Sequence, residues 1–326
     1  MVAIVRRALT ALALLGLLAA PALEAQAQAA GKRVALFQGP QQDQYLGAWG
    51  KSFTEAATKA GLKVTLFASP FDPALQAQQL DDAIAQKFDL FVVQILSQKA
   101  IIPPLTRVKA AKIPVILNIV PMFGNEGQDL YVSFVGFEQS GMGKMAGEVL
   151  MNAINRKGAK VAVVSGSLNE GLAPVRAAAF KEAVTKAGGE VVAIEDAMWN
   201  PANGERITGQ LLARYAAQGG LDGIYGMNDV LANSVVQAAE SAGVKLGTAK
   251  GSLAVVGGNC LTPGVKNIES GKMVGSLVAV PTEEGRATAA RAVDLLSGKT
   301  LPKQVYLPIE PLTQANLAKH KATCTF

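Results

Sequence analysis

The chain has 326 residues, of which 50% are hydrophobic, 17% charged and 6% aromatic, with 33 Gly, 15 Pro and 2 Cys. This composition excludes a disordered tail, a collagen-like repeat and a disulfide-dense miniprotein, and the length suits two domains or one large α/β unit. The formal charge of +6 is modest and dispersed, so nucleic acid is not an expected partner.

Arg6 and Arg7 precede an apolar run over residues 8–20, and the small-residue patterns Ala25-Gln26-Ala27 and Ala27-Gln28-Ala29 close the segment. That order reads as a secretory signal peptide over residues 1–29. About 13 apolar residues fall short of the roughly 20 that a spanning helix needs. No Cys lies near the cleavage region, which argues against a lipoprotein anchor. The mature protein is therefore expected to be soluble and exported. Cys260 and Cys324 are expected to form one disulfide in that oxidising compartment, with two unpaired thiols as the alternative. The single histidine, His320, lies in a Lys-flanked C-terminal stretch. Ser-His-Asp catalysis, Cys-His catalysis and multi-histidine metal sites are thereby disfavoured, and no cofactor or metal is expected.

β-Branched apolar runs at 34–38, 63–67, 90–93, 115–118, 131–135, 161–165, 191–194, 223–225, 253–256 and 273–278 read as strands. Between them, 47–60, 75–86, 143–155, 175–187, 207–217 and 231–242 carry the 3.6-residue periodicity of helices. Such alternation gives a parallel sheet covered on both faces. The order also repeats. The series that opens at Arg33-Val34-Ala35-Leu36-Phe37-Gln38 is echoed by one opening at Lys160-Val161-Ala162-Val163-Val164-Ser165, about one domain length later. The expected architecture is α/β, with two similar doubly wound parallel-sheet domains facing each other.

Ligands of such sheets bind outside the carboxyl ends of the strands, so the informative residues lie just past each one. Asp43 and Tyr45 follow the first strand, and Gly166 to Gly171, then Arg176, follow the strand at 161–165. Trp199 follows the strand at 191–194, and Asn228-Asp229 and Gly258-Asn259-Cys260 follow the next two. Taken singly, Asp and Asn cap helices, Gly makes turns and a loop Trp covers a core edge. Together they gather amides, carboxylates, a guanidinium and aromatic faces at one end of both sheets. That set suits a polyhydroxylated ligand, whose C–H faces stack while its hydroxyls donate and accept.

At these residues the chain resembles the type I periplasmic solute-binding proteins of ABC transporters, specifically the ribose-binding-like sugar group. The resemblance spans residues 32 to about 316. It rests on the Val34-Ala35-Leu36 strand with its aromatic-bearing loop and on Gly143-Lys144-Met145-Ala146-Gly147 opening a helix. Arg176-Ala177-Ala178-Ala179-Phe180, Asn228-Asp229 and Val256-Gly257-Gly258-Asn259 complete it. It implies three chain crossings between lobes, near Gly136 and Phe137, near Val280 and Pro281, and near Glu310. The N-terminal lobe would comprise residues 30–136 and 281–309, and the C-terminal lobe residues 137–280 and 310–326.

Carried over by position, Asp43 and Tyr45 would contact ligand from the N-terminal lobe, Arg176 would hydrogen-bond hydroxyls and Trp199 would stack on the sugar face. Asn228 and Asn259 would complete the polar ring, and Gln139 falls where the family often places an Asn that bonds the ligand. Helix capping competes for Asp43 and Asn228, a surface ion pair for Arg176 and core cover for Trp199. The chain departs from ribose-like relatives at Ile119-Val120, where they carry Asp-Arg, at Asn259, where they carry an acid, and at Ala279, where Gln is frequent. These departures predict a site short of charged partners, which disfavours ribose itself. A smaller polyol, a deoxy sugar or another pentose fits as well, and an Arg176 without a carboxylate would be open to a sugar acid.

The resemblance thus implies a monomeric binding protein, not an enzyme, that closes on a sugar or polyol and delivers it to the membrane permease of an ABC importer. A sensor subunit that presents its ligand to a chemoreceptor or kinase is the alternative. A repressor of the same fold would need a helix-turn-helix where the signal peptide stands. Gly141-Met142-Gly143-Lys144 lacks the spacing of a phosphate-binding loop, which sets aside a nucleotide enzyme.

Overall fold

The structure, a computed structural model, describes residues 29–324, so the expected signal peptide lies, save for Ala29, outside the described residues. The strands in chain order are β1 (Arg33–Gln38), β2 (Lys63–Ala68), β3 (Leu90–Val93), β4 (Val115–Asn118), β5 (Ser133–Phe137), β6 (Lys160–Ser165), β7 (Glu190–Asp196), β8 (Gly223–Gly226), β9 (Ala254–Val256), β10 (Ser276–Val278), β11 (Gln304–Leu307) and β12 (Glu310–Leu312). The helices are α1 (Gln44–Lys59), α2 (Pro73–Ile84), α3 (Ile102–Ala110), α4 (Gln139–Ile154), α5 (Leu172–Lys186), α6 (Pro201–Ala216), α7 (Asp229–Ser241), α8 (Thr262–Glu269), α9 (Pro281–Leu296) and α10 (Leu317–His320).

The first sheet runs β2-β1-β3-β4-β5-β11, and every pair in it is parallel. The second runs β7-β6-β8-β9, again parallel, and a bridge from Val256 to Gly275 leads on to the antiparallel ribbon β10-β12. Both sheets place their second strand outside the first and the third on its other side, as the repeat in the sequence predicts. The central strands are buried along their whole length because helices cover both faces. Each sheet carries its own apolar core, one around Phe37, Trp49, Phe53 and Phe91, the other around Val163, Phe180 and Tyr225.

Local chemistry moves several boundaries from their expected places. The fifth strand begins at Ser133, not 131, because its register is fixed by pairing Ser133 with Ile116 and Phe134 with Gln304. Tyr131 precedes it, its ring under the Lys303 ammonium at 3.2 Å. Helices start two to six residues earlier than their apolar periodicity indicates, because the capping residue leads the apolar face by most of a turn. Thus α4 opens at Gln139 rather than at Gly143, capped by Glu138, whose carboxylate accepts from the amides of Ser140 and Gly141. Gly143 lies one turn inside, where a Cβ would sit 2.1 Å from the Arg176 carbonyl and force α4 and α5 apart.

The chain passes between the two sheets after β5, after β10 and between β11 and β12. After the second passage α9 packs along α1 in the first lobe. Cys260 and Cys324 are joined in a disulfide, Cα atoms 5.0 Å apart, which clasps the C-terminal tail to the loop after β9. Among the described residues no helix is long and apolar enough to cross a membrane.

Candidate functional site

A cavity opens between the carboxyl ends of the two sheets, with about 550 Å³ not occupied by protein atoms. Asp43, Tyr45, Gln139, Arg176, Trp199, Asn228 and Asn259 all line it, so the structure brings together the seven residues expected to contact ligand. The lobes also touch beside it. Gln98, past β3, donates its amide to the Pro121 carbonyl at 3.0 Å in its own lobe and to the Glu170 carbonyl at 3.2 Å across the cleft. Leu172 of the second lobe packs into the core of the first.

Capping and lining coexist at two positions. Asp43 ends the β1 loop, and its Oδ1 accepts from the amides of Tyr45 and Leu46, 2.9 Å each, which starts α1. Asn228 does the same for α7, its Oδ1 accepting from the Leu231 amide at 2.7 Å. Asn259 accepts from the Asp229 amide at 3.3 Å and stands with φ 82°. Asp229 itself is wholly buried and ties this corner together: Ser276 Oγ donates to its Oδ1 at 2.6 Å and the Leu261 amide to its Oδ2 at 2.7 Å. Burial pushes its carboxyl up to about 7, against the pull of those donors.

Arg176 is no surface residue. It is buried on α5, where Nε donates to Gln139 Oε1 at 2.7 Å and Nη1 to the Met227 carbonyl at 3.3 Å. Gln139 spends both amide hydrogens on the carbonyls of Ile119 and Phe137, 3.1 and 3.0 Å away. It therefore acts chiefly as a strut that ties the first crossing to Arg176. Trp199 lies half-buried against both lobe cores, and its Nε1 donates to Glu170 Oε1 at 2.8 Å.

The expectation of a site short of charged partners needs correcting, since Glu170 and Glu284 also line the cavity. Glu284 stands in the first turn of α9 and is fully buried, its Oε2 accepting from the Tyr45 hydroxyl at 2.7 Å. Burial pushes Glu284 up to about 8 and Glu170 to about 7, although Tyr45, Trp199 and the Arg176 guanidinium pull the other way. Burial also raises Asp43 and, with Glu284 beside it, holds the Tyr45 hydroxyl well above its usual range. Glu170 sits past β6, Gln94 past β3 and Phe71 past β2, so the rule that ligands meet strand ends reaches all three. Glu284 lies in a helix just past a crossing, and the pair Glu283-Glu284 there is the one signal in the sequence.

The backbone around the cavity is strained. Six of the nine non-glycine residues with positive φ among the described residues, namely Phe71, Ile119, Met198, Trp199, Asn259 and Cys260, sit in these loops. The other three, Lys87, Lys112 and Asn155, follow helix ends, where left-handed residues are ordinary. For Ile119, a β-branched residue at φ 59°, the conformation is costly and is held by its carbonyl bond to Gln139. Among the described residues no group of three or more His, Cys, Asp or Glu is placed to hold a metal ion.

Known proteins share this fold. The periplasmic binding protein domain family matches residues 34–300. The ribose import binding protein of Haemophilus influenzae is 24% identical over 259 residues, covering 79% of this chain and 83% of its own. The D-allose-binding periplasmic protein of Escherichia coli is 25% identical over 264 residues, covering 77% and 81%. The crystal structure of the Caulobacter myo-inositol binding protein superposes with a TM-score of 0.80 at 21% identity, covering 88% of this chain and 95% of that one. With that match across most of its length and two doubly wound lobes around one cavity, the chain belongs to the periplasmic binding protein family, in its type I fold.

Proposed function

We propose that this protein captures a sugar or polyol between its lobes and delivers it to the permease of an ABC importer. The observation that carries the reading is the cavity itself, lined by Trp199 and Arg176 from one lobe and by Asp43, Tyr45 and Glu284 from the other. A ligand held there contacts both lobes only when they are closed, so binding shifts the hinge equilibrium toward a form that a permease reads. Relatives named for ribose and allose, and a similar fold bound to myo-inositol, support a small polyhydroxylated ligand.

In this reading the lobes comprise residues 30–136 with 281–309, and 137–280 with 310–326. Trp199 stacks on the C–H face of the ligand, Arg176 and Asn228 bond its hydroxyls, and no bond is made or broken. A cleaved export segment over residues 1–29 delivers a monomer to the periplasm. Three carboxyl groups against one guanidinium weigh against a sugar acid.

A thermal-shift screen of the mature protein against pentoses, hexoses, polyols and sugar acids tests the proposal, with amino acids as the contrasting class. A ligand at 1,000 times its Kd should stabilise the fold by about 4 kcal/mol, a rise of several degrees for a protein of this size. A response confined to amino acids overturns the carbohydrate assignment.

A further inference from the structure

The side chains that line the cavity carry an imbalance of charge. Asp43, Glu170 and Glu284 face a single cation, Arg176, and among the described residues none of the three carboxyls forms an ion pair. Asp43 is occupied by two backbone amides and Glu170 by the Trp199 indole. Glu284 differs. Its Oε2 accepts from the Tyr45 hydroxyl, and the other donors set against the carboxyl, the Ile119 amide and the Trp49 indole, are neutral too, while its Oε1 is buried with no hydrogen bond of normal geometry. Arg176 is committed by Nε and Nη1 to Gln139 and Met227, so it does not neutralise Glu284 by direct contact.

A buried carboxyl without a cationic partner either keeps its proton or takes a cation from elsewhere. A sugar hydroxyl offers such a site a donor but no charge, whereas a protonated amine offers both. We infer that the ligand is aminated, an amino sugar or amino polyol whose ammonium group sits against Glu284 while Arg176, Asn228 and Trp199 hold its hydroxyl-bearing face. The inference rests on the sugar or polyol reading above and narrows it. Glu284 then acts as a specificity-determining residue, supplying from α9 the negative charge that this chain lacks at Ile119 and Asn259.

The test is titration calorimetry at pH 7 on mature protein freed of co-purified ligand by unfolding and refolding. The probes are D-glucosamine, D-galactosamine, D-mannosamine, amino alditols and amino cyclitols, each beside its neutral parent and its N-acetyl derivative, which keeps the nitrogen and removes the charge. At least one amine should bind tenfold or more tightly than both of its neutral counterparts. Glu284→Gln, nearly isosteric, should weaken that amine at least tenfold and its parent less than threefold. Neutral parents that bind as tightly as the amines overturn the inference and leave the sugar or polyol function standing, and so does an amine preference that survives Glu284→Gln. A protein that binds no member of either set overturns both. The comparison of amine with N-acetyl form uses only the unaltered protein, so it decides the matter even where the variant folds poorly.

Discussion

Gly166, the first residue past β6, leaves no room for a side chain, because a Cβ there would lie 2.0 Å from the Trp199 ring. Its absence lets the indole lie flat against the loop with its N–H on Glu170. Gly166→Ala should therefore displace Trp199, shift tryptophan emission and weaken ligand binding at least tenfold. The other tryptophan, Trp49, is buried in the first core and should report no change. Altered emission with unchanged affinity would show that Trp199 does not hold the ligand. The cavity residues that follow strands were legible from the sequence, because topology alone brings strand ends together. Glu284 was not, since a glutamate in the first turn of an amphipathic helix looks like an ordinary helix-start acid until packing buries it. The strut role of Gln139 was equally hidden, because it depends on two carbonyls, Ile119 and Phe137, whose positions only the fold fixes.

At the scale of elements, capping explains most of the difference between sequence and structure. Asp72 and Asn200 each accept from two backbone amides and precede a proline, so α2 and α6 begin where the sequence looks loop-like. The two prolines at the start of α3, Pro103 and Pro104, disguise that helix in the same way. The strands β11 and β12 leave little trace in the sequence because they are short and join sheets whose partners lie far away in the chain. The tail that carries β12 and α10 is secured by the disulfide, which closes 64 residues of chain. In the loop-entropy model a ring of that size contributes about 4 kcal/mol. Equilibrium urea unfolding of the protein and of a Cys260→Ser, Cys324→Ser double variant should differ by that order. A loss below about 1 kcal/mol would mean that the unfolded chain gains little freedom when the ring is opened.

For the molecule as a whole, three buried acids set how stability responds to pH. Glu170 and Asp229 titrate at about 7 and Glu284 at about 8 in the folded protein, against ordinary values of 4.5, 3.8 and 4.5. Between those limits the folded state keeps protons that the unfolded chain has released. The stabilisation is therefore complete below about pH 4 and is lost as pH rises through 7 to 8. Asp89, which Lys32 and the Arg33 amide hold below its ordinary value, opposes this trend only in stronger acid. The ligand-free protein should melt at a higher temperature at pH 5.5 than at pH 8.5, with a shallower slope in Glu284→Gln. A melting temperature that rises with pH across this range would mean that these carboxyls are charged in the fold. The Gln98 bridge works at the same scale. Because it joins the lobes without lining the cavity, it lends the shut form stability of its own, and apparent affinity equals intrinsic affinity scaled by the fraction already shut. Tightness of capture is consequently adjustable at Gln98, by a change that leaves the chemical preference of the pocket as it was.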